Sequence, residues 1–113
     1  MTTATDYMLS DDRTLTEIVR RLVAAFQPEE IYLFGSKARG EAGPDSDYDL
    51  LLVVADEAAP ERKRSRLAYQ SLRGTRAAAD VLVWSRGDFD RRLHLVASLP
   101  ATVRREGRLI YAK

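Results

Sequence analysis

Two aspartates one residue apart, Asp47 and Asp49, stand at the head of the apolar run Leu50 to Val54. Strand side chains alternate between faces, so the two carboxylates project to the same side at the entrance of the strand this run predicts. Held that close, they repel each other and lose hydration unless a cation compensates them. The chemistry that fits is a divalent-metal site with hard oxygen ligands suited to Mg²⁺. A second apolar run, Ile31-Tyr32-Leu33-Phe34, stops at Gly35-Ser36, ten residues before Asp47. A tight turn there offers free backbone N–H groups and a hydroxyl, which suits a phosphate. Metal beside phosphate suggests a nucleotide. A third acid, Asp80, opens the run Val81-Leu82-Val83-Trp84 and stands at its strand's entrance as Asp47 and Asp49 do at theirs.

Blander explanations compete for the same residues. Turn capping accounts for Asp47, because Asp45-Ser46-Asp47 is turn chemistry by itself. It does not account for Asp49 leading an apolar strand. A calcium loop is suggested by Asp45-Ser46-Asp47-Tyr48-Asp49, but it needs Gly at its sixth position and Glu at its twelfth. Those positions hold Leu50 and Asp56, and the residues between form a strand pattern, so the calcium reading fails. Lys37 and Arg39 follow the Gly-Ser turn and could neutralise phosphate charge; an exposed helix face explains them equally well. Tyr48 alternates away from the acids and reads as packing.

The elements that must position these groups are legible as periodicities. Met1 to Leu9 reads as a loose arm. Leu15, Ile18, Val19, Leu22, Val23 and Phe26 make one helical stripe, with Ser10, Asp11 and Asp12 as N-cap chemistry and Pro28 as its stop. Glu30 to Phe34 is the first strand, and Ser36 to Arg39 a short helix whose N-terminal end faces the phosphate. Gly40, Gly43 and Pro44 make a loop, and Asp47 to Val54 is the second strand. A helix is expected from Pro60 to about Arg73, with Gly74 as its cap. The third strand spans Asp80 to Trp84. Ser85 to Asp88 starts a helix carrying Phe89, Leu93 and Val96, and Arg108 to Ala112 is a short final edge strand.

The connection from Val54 to Asp80 is long and holds a helix, as a parallel crossover requires. Parallel neighbours bring Asp80 beside Asp49. Gly35-Ser36 lies at the exit of its strand, so the first strand must run antiparallel for the turn to reach the same end. The expected fold is therefore α/β: a mixed sheet in order 1-2-3, first strand antiparallel, flanked by helices, in a single domain over residues 1–113.

Gly35-Ser36, ten residues, then Asp47-x-Asp49 resembles the signature of the polymerase-beta-type nucleotidyltransferase superfamily. The local version, GSKARGEAGPDSDYDLLLVV, is most similar to the minimal nucleotidyltransferases, the small MntA-like antitoxins often paired with HEPN-domain toxins. The WSRGDF segment and the closing REGRLIY also look like that family. The resemblance implies the same mixed sheet and a catalytic triad of Asp47, Asp49 and Asp80. It implies that Asp47 and Asp49 hold the metal on the β- and γ-phosphates and bridge to a second, the two Mg²⁺ ions (or Mn²⁺) lying roughly 3.5–4 Å apart. Asp80 would ligate the second ion and act as general base. Gly35, Ser36, Lys37 and Arg39 would bind the nucleotide, Arg39 better than Lys37 because the family's loop carries a basic residue there. The implied reaction moves a nucleoside monophosphate, AMP from ATP, onto a hydroxyl of a partner HEPN toxin, the chain being the antitoxin.

Composition bounds these readings. With 113 residues, 45% hydrophobic and 31% charged, there is one ordinary globular core and no room for a separate acceptor-binding domain. A net charge of +1 provides no global field for nucleic acid or membrane. The absence of cysteine excludes a disulfide framework, a thiol nucleophile and a thiolate zinc site, and a cytoplasmic setting is expected. No signal peptide or membrane-spanning run is read. The basic run Arg62, Lys63, Arg64, Arg66, Arg73 and Arg76 reads first as a solvated face and second as a docking surface. Two other functions fit the same residues: an antitoxin that silences its partner by binding alone, and a nucleotidyltransferase for a small molecule or an RNA 3′ end.

Overall fold

The stripe from Leu15 to Phe26 folds as helix α1, Arg13–Phe26, in a computed structural model that describes residues 12–39, 47–75 and 78–113. The expected N-terminal arm, the caps Ser10 and Asp11, the loop around Gly40, Gly43 and Pro44, and Arg76 lie outside the described residues, as do the side chains of Ser36 and Arg39. Asp12 is the N-cap, its carboxylate accepting from the Leu15 N–H at 2.9 Å. That bond satisfies one of the donors a helix start leaves unpaired. The helix ends where Gln27 turns left-handed, at φ 48°, just before Pro28.

Strand β1 (Glu30–Phe34) leads into the five-residue helix α2 (Gly35–Arg39). Strand β2 (Tyr48–Val54) is followed by a 3-10 turn at Pro60–Lys63 and helix α3 (Ser65–Ser71). Then come β3 (Ala79–Ser85), α4 (Arg86–Arg92), α5 (Leu99–Glu106) and β4 (Arg108–Ala112). The sheet order is β3-β2-β1-β4, with β1 antiparallel to both β2 and β4, and β2 parallel to β3. The expected 1-2-3 order and strand senses hold, and the final strand joins outside β1.

Alternation sorts the side chains into two cores. Ile31, Leu33, Tyr48, Leu50, Leu52, Val54 and Val81 face α1 and α3, where they meet Leu15, Ile18, Leu22, Phe26 and Ala68. Tyr32, Leu51 and Val53 face the other way, onto Phe89 of α4 and Val103 of α5. β2 is thus buried on both faces, which is why its run is continuously apolar. Each such buried side chain contributes about 1.5–3 kcal/mol. Arg86 pins the end of the sheet away from Gly35, pairing with Glu29 at 2.8 Å, Glu30 at 3.0 Å and Asp90 at 3.1 Å.

Two helices differ from expectation. The helix from Pro60 to about Arg73 is split, because Arg64 is extended (φ −117°, ψ 135°) between the 3-10 turn and α3. The helix begun at Ser85, where the serine hydroxyl accepts from the Asp88 N–H, stops at Arg92. Leu93 packs in the second core from the turn that follows, whereas Val96 is 74% exposed. Apolar residues at helical spacing do not hold a helix whose far turn has nothing to cover it.

Candidate functional site

The functional end of the sheet is built where β1 leaves and β2 and β3 enter. Phe34, the last residue of β1, pairs with Asp49 of β2, and Asp49 pairs in turn with Asp80 of β3. Neighbouring strands lie about 4.8 Å apart, so the carboxylates of Asp49 and Asp80 rise side by side from one face of the sheet. That face is the one covered further along by α4 and α5, since Asp49 alternates with Leu51 and Asp80 with Leu82. Asp47 precedes the ladder by one residue and is exposed.

Gly35 closes the site from the β1 side. Its φ is +74°, and a Cβ there would stand 2.3 Å from Oδ2 and 3.2 Å from Cγ of Asp49. Only glycine permits both the left-handed backbone and that approach. The turn and the carboxylate are therefore packed against each other, and the first residues of α2 lie over the entrance of β2.

The electrostatics agree with the geometry. Partial burial raises the Asp49 carboxyl above its ordinary value, and the charges of Asp80 and Asp47 raise it further. Negative charge thus gathers at the entrance of β2. Among the described residues, no group of three or more acidic, histidine or cysteine side chains is placed to hold a metal ion together. This arrangement suits Mg²⁺, which is commonly held by one or two carboxylates with substrate phosphates and water completing its shell. The donor set fits a hard cation delivered with a nucleotide.

Of the residues read from the sequence, the fold brings Asp49, Asp80 and Gly35 together, with Asp47 beside them. The backbones of Ser36 and Arg39 belong to α2. Lys37 lies elsewhere: its ammonium sits 4.3 Å from the centroid of the Tyr48 ring, and Tyr48 faces the α1 side, away from Asp49. The Tyr48 hydroxyl donates to the Asp12 carboxylate at 3.0 Å. Desolvation and that carboxylate push the tyrosine up to about 12. Trp84, on the face of Asp80, packs in the second core with Arg92 over its ring. His94 is exposed in the turn after α4. Arg66, the one basic residue of α3, lies on the sheet face opposite Asp49, because α3 packs there through Leu67 and Ala68.

Among the described residues, no helix is long and apolar enough to cross a membrane. Residues 13–109 match the family model of the nucleotidyltransferase domain. No curated protein sequence matches the chain. Solved structures are similar to it, among them the following three. A candidate nucleotidyltransferase from Sulfolobus solfataricus is 26% identical with a TM-score of 0.59, the match covering 97% of this chain and 85% of that one. A toxin–antitoxin structure with AMP-PNP is 19% identical, TM-score 0.55, covering 85% and 72%. An MntA–HpeT toxin–antitoxin mutant is 17% identical, TM-score 0.50, covering 84% and 71%. The last two likenesses are likenesses of fold.

Proposed function

The chain belongs to the nucleotidyltransferase domain family, and we propose that it transfers AMP from ATP to a hydroxyl on a partner protein, a HEPN-type toxin that it thereby neutralises. One observation carries the reading: Asp49 and Asp80 are paired neighbours on parallel strands, and Asp49 is pressed against the left-handed Gly35. The fold likeness to toxin–antitoxin structures, one of them with AMP-PNP, supports a nucleotide and a protein partner.

In this reading Asp47 and Asp49 would hold the cation that accompanies the triphosphate, and Asp80 would help hold a second. Bound divalent ions supply charge neutralisation on the phosphates and polarisation of the reacting oxygens. The protein's own part is positioning and proton transfer. The Gly35-Ser36 turn cradles the terminal phosphates with backbone N–H groups. A carboxylate oxygen of Asp80 takes the proton as the acceptor oxygen bonds to the α-phosphorus. The bond from that phosphorus to the bridging oxygen breaks, and pyrophosphate leaves.

The test is to incubate the chain with labelled ATP, Mg²⁺ and the protein encoded beside it, then measure the partner's mass. The expected result is a gain of one or more AMP units, absent with the Asp47→Asn/Asp49→Asn double variant. Equal inhibition of the partner by that variant, with no mass change, would favour an antitoxin that acts by binding alone.

A further inference from the structure

The sheet has two edges, and they differ. β4 is five residues long, begins at the exposed Arg108, and slips register against β1 between Ile31 and Tyr32. Short length, charge and irregularity are how edge strands avoid pairing with other chains. β3 has seven residues in unbroken register with β2 from Ala79 to Ser85, with no proline or glycine. Its Val81-Leu82-Val83-Trp84 is strongly strand-forming, and among the described residues no strand lies beyond it. A long, regular edge whose one charge, Asp80, lies near its entrance is a template for an added strand.

Beside the end of β3 away from Asp80 lies a cleft of about 540 Å³, lined by Lys63, Val83, Trp84, Ser85, Asp88 and Arg92. The Arg92 guanidinium stands 5.4 Å from the Trp84 ring centroid. Lys63 reaches in from the 3-10 turn, its ammonium donating to the Asp56 carbonyl at 2.5 Å. The acid in the lining, Asp88, is engaged by Arg91. Two cations around an indole, with the local acid already paired, suit a carboxylate. Between this cleft and Asp80, on the same face, Leu82 is 40% exposed. Asp80 and Trp84 are four residues apart, roughly 13 Å along the strand.

We propose that the protein segment receiving the nucleotidyl group docks as an extended strand on the outer edge of β3, with an acidic side chain in the Lys63–Trp84–Arg92 cleft and its acceptor hydroxyl about four residues away, beside Asp80. The role given to Asp80 rests on the nucleotidyltransferase reading; the docking does not. Backbone pairing along β3 supplies affinity, the cleft selects an acidic residue, and Leu82 offers an apolar neighbour for a cross-strand side chain.

The experiment uses a fluorescent random copolymer of glutamate and tyrosine, with a lysine–tyrosine copolymer as control. Binding is followed by anisotropy, and amide hydrogen exchange is measured with and without copolymer. The acidic copolymer is expected to bind, the basic one not, with protection appearing at the amides of residues 79–85. Lys63→Glu/Arg92→Glu should weaken binding by at least about tenfold while the variant stays folded and keeps its Mg·ATP affinity. The proposal is overturned if wild type fails to bind the acidic copolymer, if the variant binds equally, or if protection falls elsewhere. It is also overturned if sedimentation shows a dimer whose exchange protection already covers β3. Any of these results with Mg·ATP binding intact strikes the docking alone; loss of Mg·ATP binding by wild type strikes the nucleotidyltransferase reading instead.

Discussion

The ammonium of Lys37 lies over the ring of Tyr48, 4.3 Å from its centroid, on the face of the sheet opposite Asp49. The Tyr48 hydroxyl in turn donates to Asp12, the N-cap of α1. A cation, an aromatic ring and a carboxylate therefore tie the short helix after the Gly-Ser turn to the start of the longest helix. This contact gives Lys37 a positioning role separable from contact with phosphate.

Ser36 and Lys37 should then respond differently to substitution. Ser36→Ala is expected to weaken Mg·ATP binding by roughly 1.5–3 kcal/mol, the loss of one hydrogen bond to a charged group. Lys37→Met should leave that affinity near wild type and lower folding stability by about 0.5–2 kcal/mol, the range for a cation–π contact on a buried ring. Calorimetric titration and urea unfolding separate the two, and a large affinity loss in Lys37→Met would place its ammonium on the phosphates instead.

Gly35 offers a test of how tightly turn and carboxylate are packed. Gly35→Ala combines a left-handed backbone with a 2.3 Å contact to Asp49 Oδ2, and is expected to cost about 1–3 kcal/mol of stability. In an Asp49→Ala background the contact is gone, so the same substitution should cost less. A double-mutant cycle reads the difference as coupling. Additive effects would mean that the turn does not rest on Asp49.

The raised Asp49 carboxyl has a consequence for stability. An acid held above its ordinary value keeps its proton more tightly folded than unfolded. Its contribution is therefore fullest below the ordinary carboxylate range and is lost as pH rises through that range and through the raised value. Asp49→Asn removes this loss. The metal-free variant should melt higher than wild type near neutral pH, with the gap closing toward about pH 4. A variant that melts lower throughout would show that the carboxylates stabilise the apoprotein.

Much of this arrangement was legible because it depends on backbone periodicity. Glycine and aspartate at the ends of apolar runs specify which strand ends meet, and the connection between Val54 and Asp80 is long enough for the crossover that parallel strands need. Long side chains carry no such signal. Nothing in the spacing of Lys37 says that it will choose the Tyr48 ring, nor that Arg86 will gather Glu29, Glu30 and Asp90. Helix lengths failed for a related reason: Arg64 and Val96 sit where tertiary packing, not local pattern, decides whether a turn continues. The cleft beside β3 draws on Lys63, Trp84 and Arg92 from three elements, and only the folded sheet brings them together.

In the proposed function, the carboxylates at the sheet end and the Gly35-Ser36 turn form one site for a metal-bound nucleotide. Its most direct test is titration of ATP by calorimetry, with and without Mg²⁺, into wild type and into the Asp47→Asn/Asp49→Asn variant. The expected result is Mg²⁺-dependent binding to wild type alone. Equal affinity in all four titrations would contradict it.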